Sequence, residues 1–69
     1  MLKIEDIKVD AQIRGIKSDE IVRIVQLERV GDAAVTVYYK DAQGTLSEQM
    51  LFRSDEARLD LAVSGRAGG

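Results

Sequence analysis

The chain is expected to fold as a small all-β domain: a five-stranded antiparallel barrel, SH3-like, led by a short N-terminal helical turn. Three observations predict it. Short segments rich in β-branched residues recur along the chain, several alternating apolar with polar residues. Turn signals such as Gly31-Asp32 and Asp41-Ala42-Gln43-Gly44 separate them at intervals of roughly eight to twelve residues. Sixty-nine residues also supply only a thin core, which a barrel fills with one layer while removing most exposed strand edges.

Met1 to Val9 places Leu2, Ile4 and Ile7 among charges, a spacing that fits one short helical turn or the lead into a strand. Asp10-Ala11 makes a turn, Gln12-Ile13-Arg14 a short strand ending at Gly15, and Lys17-Ser18-Asp19 the next loop. Ile21 to Val30 reads two ways. As a helix it has Ser18 or Asp19 to cap it and Gly31 to stop it. As a strand it is rich in stiff, β-branched Ile and Val, and this reading is favoured. Its apolar phase changes at Val25, as a bulge or strong coil would produce.

Later elements are plainer. In Val35 to Lys40, Val35, Val37 and Tyr39 point one way and Thr36, Tyr38 and Lys40 the other. Asp41 to Gly44 suits a type I turn, with the Asp side chain bonding back and the Gly accepting positive φ. Leu46, Glu48, Met50 and Phe52 then alternate with Ser47, Gln49, Leu51 and Arg53, and the run Met50-Leu51-Phe52 is expected to supply core. Ser54 to Ala57 turns the chain into a last strand with Leu59, Leu61 and Val63 facing in. Residues 1–63 are thus read as one domain and 64–69 as a flexible Gly-rich tail.

Composition narrows the function classes. A chain of this length buries only about 60% of its unfolded surface, so a deep catalytic pocket would consume most of its core. With no Cys and no His, thiolate and imidazole chemistry, disulfides and the usual zinc ligand sets are ruled out. The acidic pairs Glu5-Asp6, Asp19-Glu20 and Asp55-Glu56 lie in no calcium-loop pattern and read as solvated turns or helix starts. No phosphate loop, nucleophile elbow or dinucleotide fingerprint occurs. The expectation is a non-enzymatic binding module, with no catalytic residue, cofactor or metal. No apolar run approaches the ~18 residues of a membrane span and no signal-peptide pattern is present, so a cytoplasmic monomer is expected.

Candidate contact residues follow from charge and aromatic placement. The formal charge is −2, against the basic excess usual for phosphate binding, yet Arg14, Lys17, Arg23, Arg29 and Lys40 make a candidate positive strip. Asp10, Asp19, Glu20 and Glu28 interleave with it. Tyr38 faces outward beside it and offers a stacking surface for a base or a peptide. Glu48 and Arg53 fall on opposite strand phases, which argues against a catalytic dyad; each is expected to brace one end of the apolar run. Arg53 with Asp55 and Glu56 forms a possible loop brace through its guanidinium fork.

Over Ile4 to about Leu61 the chain resembles the extreme N-terminus of a group of large bacterial Swi/Snf-type helicases, which are superfamily-two ATPases. The resemblance rests on Arg14-Gly15, Gly31-Asp32, Tyr39-Lys40-Asp41 with Gly44, Glu48 with Leu51-Phe52-Arg53, then Glu56 and Leu59. Met50, Ala57 and Asp10 depart from the group's usual Leu, Pro and Gly. It implies an accessory domain without chemistry of its own. ATP-binding and hydrolase motifs would lie downstream, and its partners would be DNA or the downstream helicase domains. The alternative is a stand-alone protein-interaction module, self-associating through an exposed edge.

Overall fold

A computed structural model describes residues 1–18 and 20–62. Five strands, β1 (Gln12–Lys17), β2 (Glu20–Val30), β3 (Ala34–Lys40), β4 (Leu46–Phe52) and β5 (Asp60–Leu61), form one antiparallel sheet in the order β4-β3-β2-β1-β5. A 3-10 turn, Ile4–Asp6, precedes β1, and a 3-10 helix, Arg53–Arg58, connects β4 to β5. The all-β expectation and the N-terminal helical turn both hold.

The sheet does not close into a barrel. Its hydrogen-bonded order ends at β4 and at β5. The chain spends Arg53–Arg58 in a 3-10 helix, and β5 is only two residues long, so little strand remains to pair back across the gap. The inner face is covered instead by Leu2, Ile4 and Ile7 from the N-terminal segment and by Leu59. Packed against them are Ile13, Val22, Ile24, Val35, Val37, Tyr39 and Leu51.

β2 is a strand and not a helix. Burying its β-branched side chains at Val22 and Ile24 against both neighbours overrides the capping signals around it. It pairs with β1 over residues 20–23 and with β3 over residues 23–30, and the register with β3 shifts between Ile24 and Gln26, where the phase change at Val25 predicts a bulge. The hairpin turn is also as expected. Gly44 N–H donates to Asp41 O at 2.9 Å, Gly44 has φ +82°, and the Asp41 carboxylate accepts from Gln43 N and Thr45 N, each at 2.9 Å.

Three expectations need correction. β1 does not end at Gly15 but runs to Lys17, with Gly15 at φ +107° inside a β1–β2 irregularity. In β4 the buried residue is Leu51, while Leu46, Glu48, Met50 and Phe52 are exposed, so Leu51 alone of the Met50-Leu51-Phe52 run joins the core. Register sets this, because Leu51 pairs with Val35 on the inner phase of β3. Leu59 is buried as expected, but Leu61, although opposite the buried Ile13 on the inner phase, is 54% exposed because β5 is the two-residue edge strand. Val63 and the tail 64–69 lie outside the described residues, as does Asp19.

Candidate functional site

The expected braces and the expected strip separate into two groups, one holding the fold and one facing out. Arg53 belongs to the first. Its guanidinium donates to Glu5 Oε1 at 3.0 Å, to Glu56 Oε2 at 3.2 Å and to the Asp32 carbonyl at 2.7 Å, with a further bond to Glu5 Oε2. The Arg53 hydrogen bond, first among its causes, holds the Glu5 carboxyl at about 2, well below the usual range. Glu56 is buried and its carboxylate also accepts Ile4 N–H at 2.9 Å. The side chains at Arg53 and Glu56 therefore clamp the N-terminal segment onto the connecting helix. Asp55 does not join that clamp: it accepts Phe52 N–H at 2.8 Å and pairs with Arg58 at 3.2 Å. Glu48 braces nothing among the described residues; it lies exposed, opposite Tyr38 on the outer face.

Two members of the strip are also structural. Arg29 sits on the inner phase of β2 and reaches past the sheet end to donate to Ile4 O at 2.8 Å and to Glu5 O and Ile7 O at 3.3 Å. The sequence signal was its phase: Val25, Leu27 and Arg29 alternate on one face, and a guanidinium there needs acceptors. Lys17 donates to the Asp41 carboxylate at 2.7 Å. That bond, ahead of the Thr45 N–H bond, lowers the Asp41 carboxyl and correspondingly raises the Lys17 ammonium. Glu20 joins the cluster by accepting Ala42 N–H at 2.7 Å.

Arg14, Arg23 and Lys40 remain on the outer face. Each is exposed, and none forms a salt bridge with a described residue. Register places Gln12 beside Arg23, Arg23 beside Lys40 and Lys40 beside Leu46, one row across four strands. Arg14 lies two residues along β1, opposite Ile21 and Asp60. The N-terminal ammonium, bonded to Asp60 at 2.9 Å, lowers that carboxyl. Arg23 and Lys40 border a cleft of about 370 Å³ whose other walls include Gln12, Ile21 and the β3–β4 turn at Ala42 and Gly44. Tyr38 is half-buried on the same face, two residues from Lys40.

Farther along the outer face the surface turns apolar. Leu46, Met50 and Phe52 on β4 are 59%, 43% and 48% exposed, and Val30, beside Ala34 in the row that ends at Phe52, is 43% exposed. β4 pairs with β3 on one side only; its free edge has no bulge, Lys or Pro, and the exposed Glu48 is its single charge. Among the described residues no group of acidic side chains is placed to hold a metal ion.

Among curated proteins and among solved structures, nothing matches the chain. A family model described as a domain of unknown function matches residues 3–60. That span runs from the clamped N-terminal segment to β5 and takes in the whole outer face, and the chain belongs to this family, DUF8742.

Proposed function

We propose that this chain is a non-catalytic accessory domain of a larger bacterial Swi/Snf-type helicase, docking through the outer side of β4 onto downstream domains of the same protein. The supporting observation is the exposed apolar set Leu46, Met50 and Phe52 on the edge strand β4, whose single charge is Glu48. A free-standing domain gains nothing from leaving such a row in water, and an exposed, regular edge is a template for added backbone pairing. The meander order, with β5 returned to β1, supports reading the sheet as an SH3-like roll with one seam left open. ATP binding and hydrolysis belong to the parent protein in this reading, and its location is cytoplasmic.

Amide hydrogen exchange tests it. In the full-length protein β4 amides exchange more slowly than in the isolated domain, and Met50→Ser with Phe52→Ser restores the isolated rate. Equal β4 protection in both contexts removes the docking reading.

A further inference from the structure

We infer that the row Gln12, Arg23 and Lys40, with Tyr38 beside it, is a binding site for the phosphodiester backbone of a single nucleic-acid strand. This surface adjoins the docking side of β4 at Leu46 but uses different residues from Met50 and Phe52. The outer face holds an unfavourable arrangement. Arg23 and Lys40 are direct cross-strand partners on the outer face. Like charges placed opposite one another in a sheet cost stability, since their Cβ atoms stand only about 5 Å apart. An acidic neighbour on either adjacent strand would relieve the repulsion. The fold places Gln12 and Leu46 there instead.

Three of the nearby carboxylates are already engaged; Glu48, opposite Tyr38 and two residues along β4 from Leu46, is exposed and bonded to no described residue. Asp41 is taken by Lys17 and by the turn amides, Glu20 by Ala42 N–H, and Asp60 by the terminal ammonium. The two cations therefore face solvent across a cleft of about 370 Å³, with the Gln12 amide as a neutral donor on the same rim. Arg14 extends the positive surface along β1. An oxyanion bridging Arg23 and Lys40 removes the repulsion and gains charge-assisted hydrogen bonds.

Phosphodiester is favoured over a peptide carboxylate by what lies next to the cations. Tyr38 shares the outer face of β3 with Lys40, so a base attached to a bound phosphate meets an aromatic ring. A single strand offers that base, whereas a duplex keeps its base faces stacked inside.

The experiment follows amide and side-chain shifts of the 69-residue chain titrated with oligothymidylate, a short duplex and oligoglutamate at low salt. Oligothymidylate is expected to move Gln12, Arg23, Tyr38 and Lys40. With three cations engaged, affinity falls about a hundred-fold for a tenfold rise in salt, from a slope of about −0.7 per phosphate. Arg23→Gln and Lys40→Gln each lower that slope while leaving thermal stability equal or higher, because each relieves the like-charge pair. Tyr38→Leu weakens binding about ten-fold and Tyr38→Phe restores it. No shift with oligothymidylate at low salt overturns the site. Equal binding of oligoglutamate overturns the phosphodiester assignment, and equal binding of duplex with no effect at Tyr38 overturns the single strand. Since none of these variants touches Met50 or Phe52, loss of nucleic-acid binding leaves the docking reading standing.

Discussion

Replacing Gly15 with Ala tests how the two ends of the fold are joined. Gly15 has φ +107°, and a Cβ there would stand 2.1 Å from the Arg58 carbonyl oxygen, against 3.4 Å or more for ordinary contact. Two costs combine. An L-residue forced to positive φ loses about 1–2 kcal/mol, and overpacking that moves neighbouring backbone adds about 1–3 kcal/mol. Arg58 cannot retreat freely, because Leu59 beside it is fully buried and Asp60 pairs with Arg14. The expected loss is about 2–5 kcal/mol, while a core of this size supplies about 3–5 kcal/mol of net stability. The loss is comparable to the whole net stability, so the denaturation midpoint should fall steeply and an unfolded fraction should appear even without urea. Gly44→Ala is the matched control: its φ is +82° but nothing lies within 4 Å, so it carries the conformational cost alone, about 1 kcal/mol. Urea denaturation of both variants reads the difference directly. If Gly15→Ala costs within about 0.5 kcal/mol of Gly44→Ala, the close approach is not limiting and the reasoning fails.

Glu56→Ala strands the buried Ile4 N–H and frees one arm of Arg53; a loss of about 1–3 kcal/mol is expected in chemical denaturation. Acid sensitivity follows from the lowered carboxyls of Glu5, Asp41 and Asp60. Folded-state values below the unfolded ones give stability that is complete above the unfolded values and lost as protons bind. For Glu5 that window runs from about 4.5 down to about 2, so the denaturation midpoint should fall through it, and Arg53→Gln should flatten the fall. Asp41→Asn should lower the melting temperature and speed exchange at Gln43 and Thr45, since the neutral amide loses the Lys17 bond and weakens both turn bonds. Arg29→Lys removes a fork that spans three carbonyls; exchange at Ile7 should quicken while β3 amides hold their rate.

Much of the strand pattern was legible because local chemistry and tertiary packing agree. Val35, Val37 and Tyr39 are inward by simple alternation, and Asp41 with Gly44 sets the hairpin as turn chemistry dictates. β4 was misread because its outer phase carries larger apolar side chains than its inner phase. Ser47, Gln49 and Leu51 face in, and only register with β3 reveals it. Barrel closure failed for a related reason: the apolar Leu2, Ile4 and Ile7 cover the core, and a sequence pattern does not say which segment does so. At the outer face, charge counting pointed to five cations. Lys17 and Arg29, though exposed, are committed to partners far along the chain, Asp41 and the carbonyls of Ile4, Glu5 and Ile7, which spacing alone does not bring together.

The clamp around the N-terminal segment also dictates an order of events during synthesis. Arg29 of β2 holds the carbonyls of Ile4, Glu5 and Ile7. The partners of Leu2 N–H, Ile4 N–H and the Glu5 carboxylate are instead Glu56 and Arg53, so this segment is seated in two stages, the second waiting on the connecting helix. β2, β3 and β4 pair with near neighbours and can assemble earlier as a meander. The segment carrying Leu2, Ile4 and Ile7 is therefore only partly held while the sheet assembles, and its full capture waits for the connecting helix.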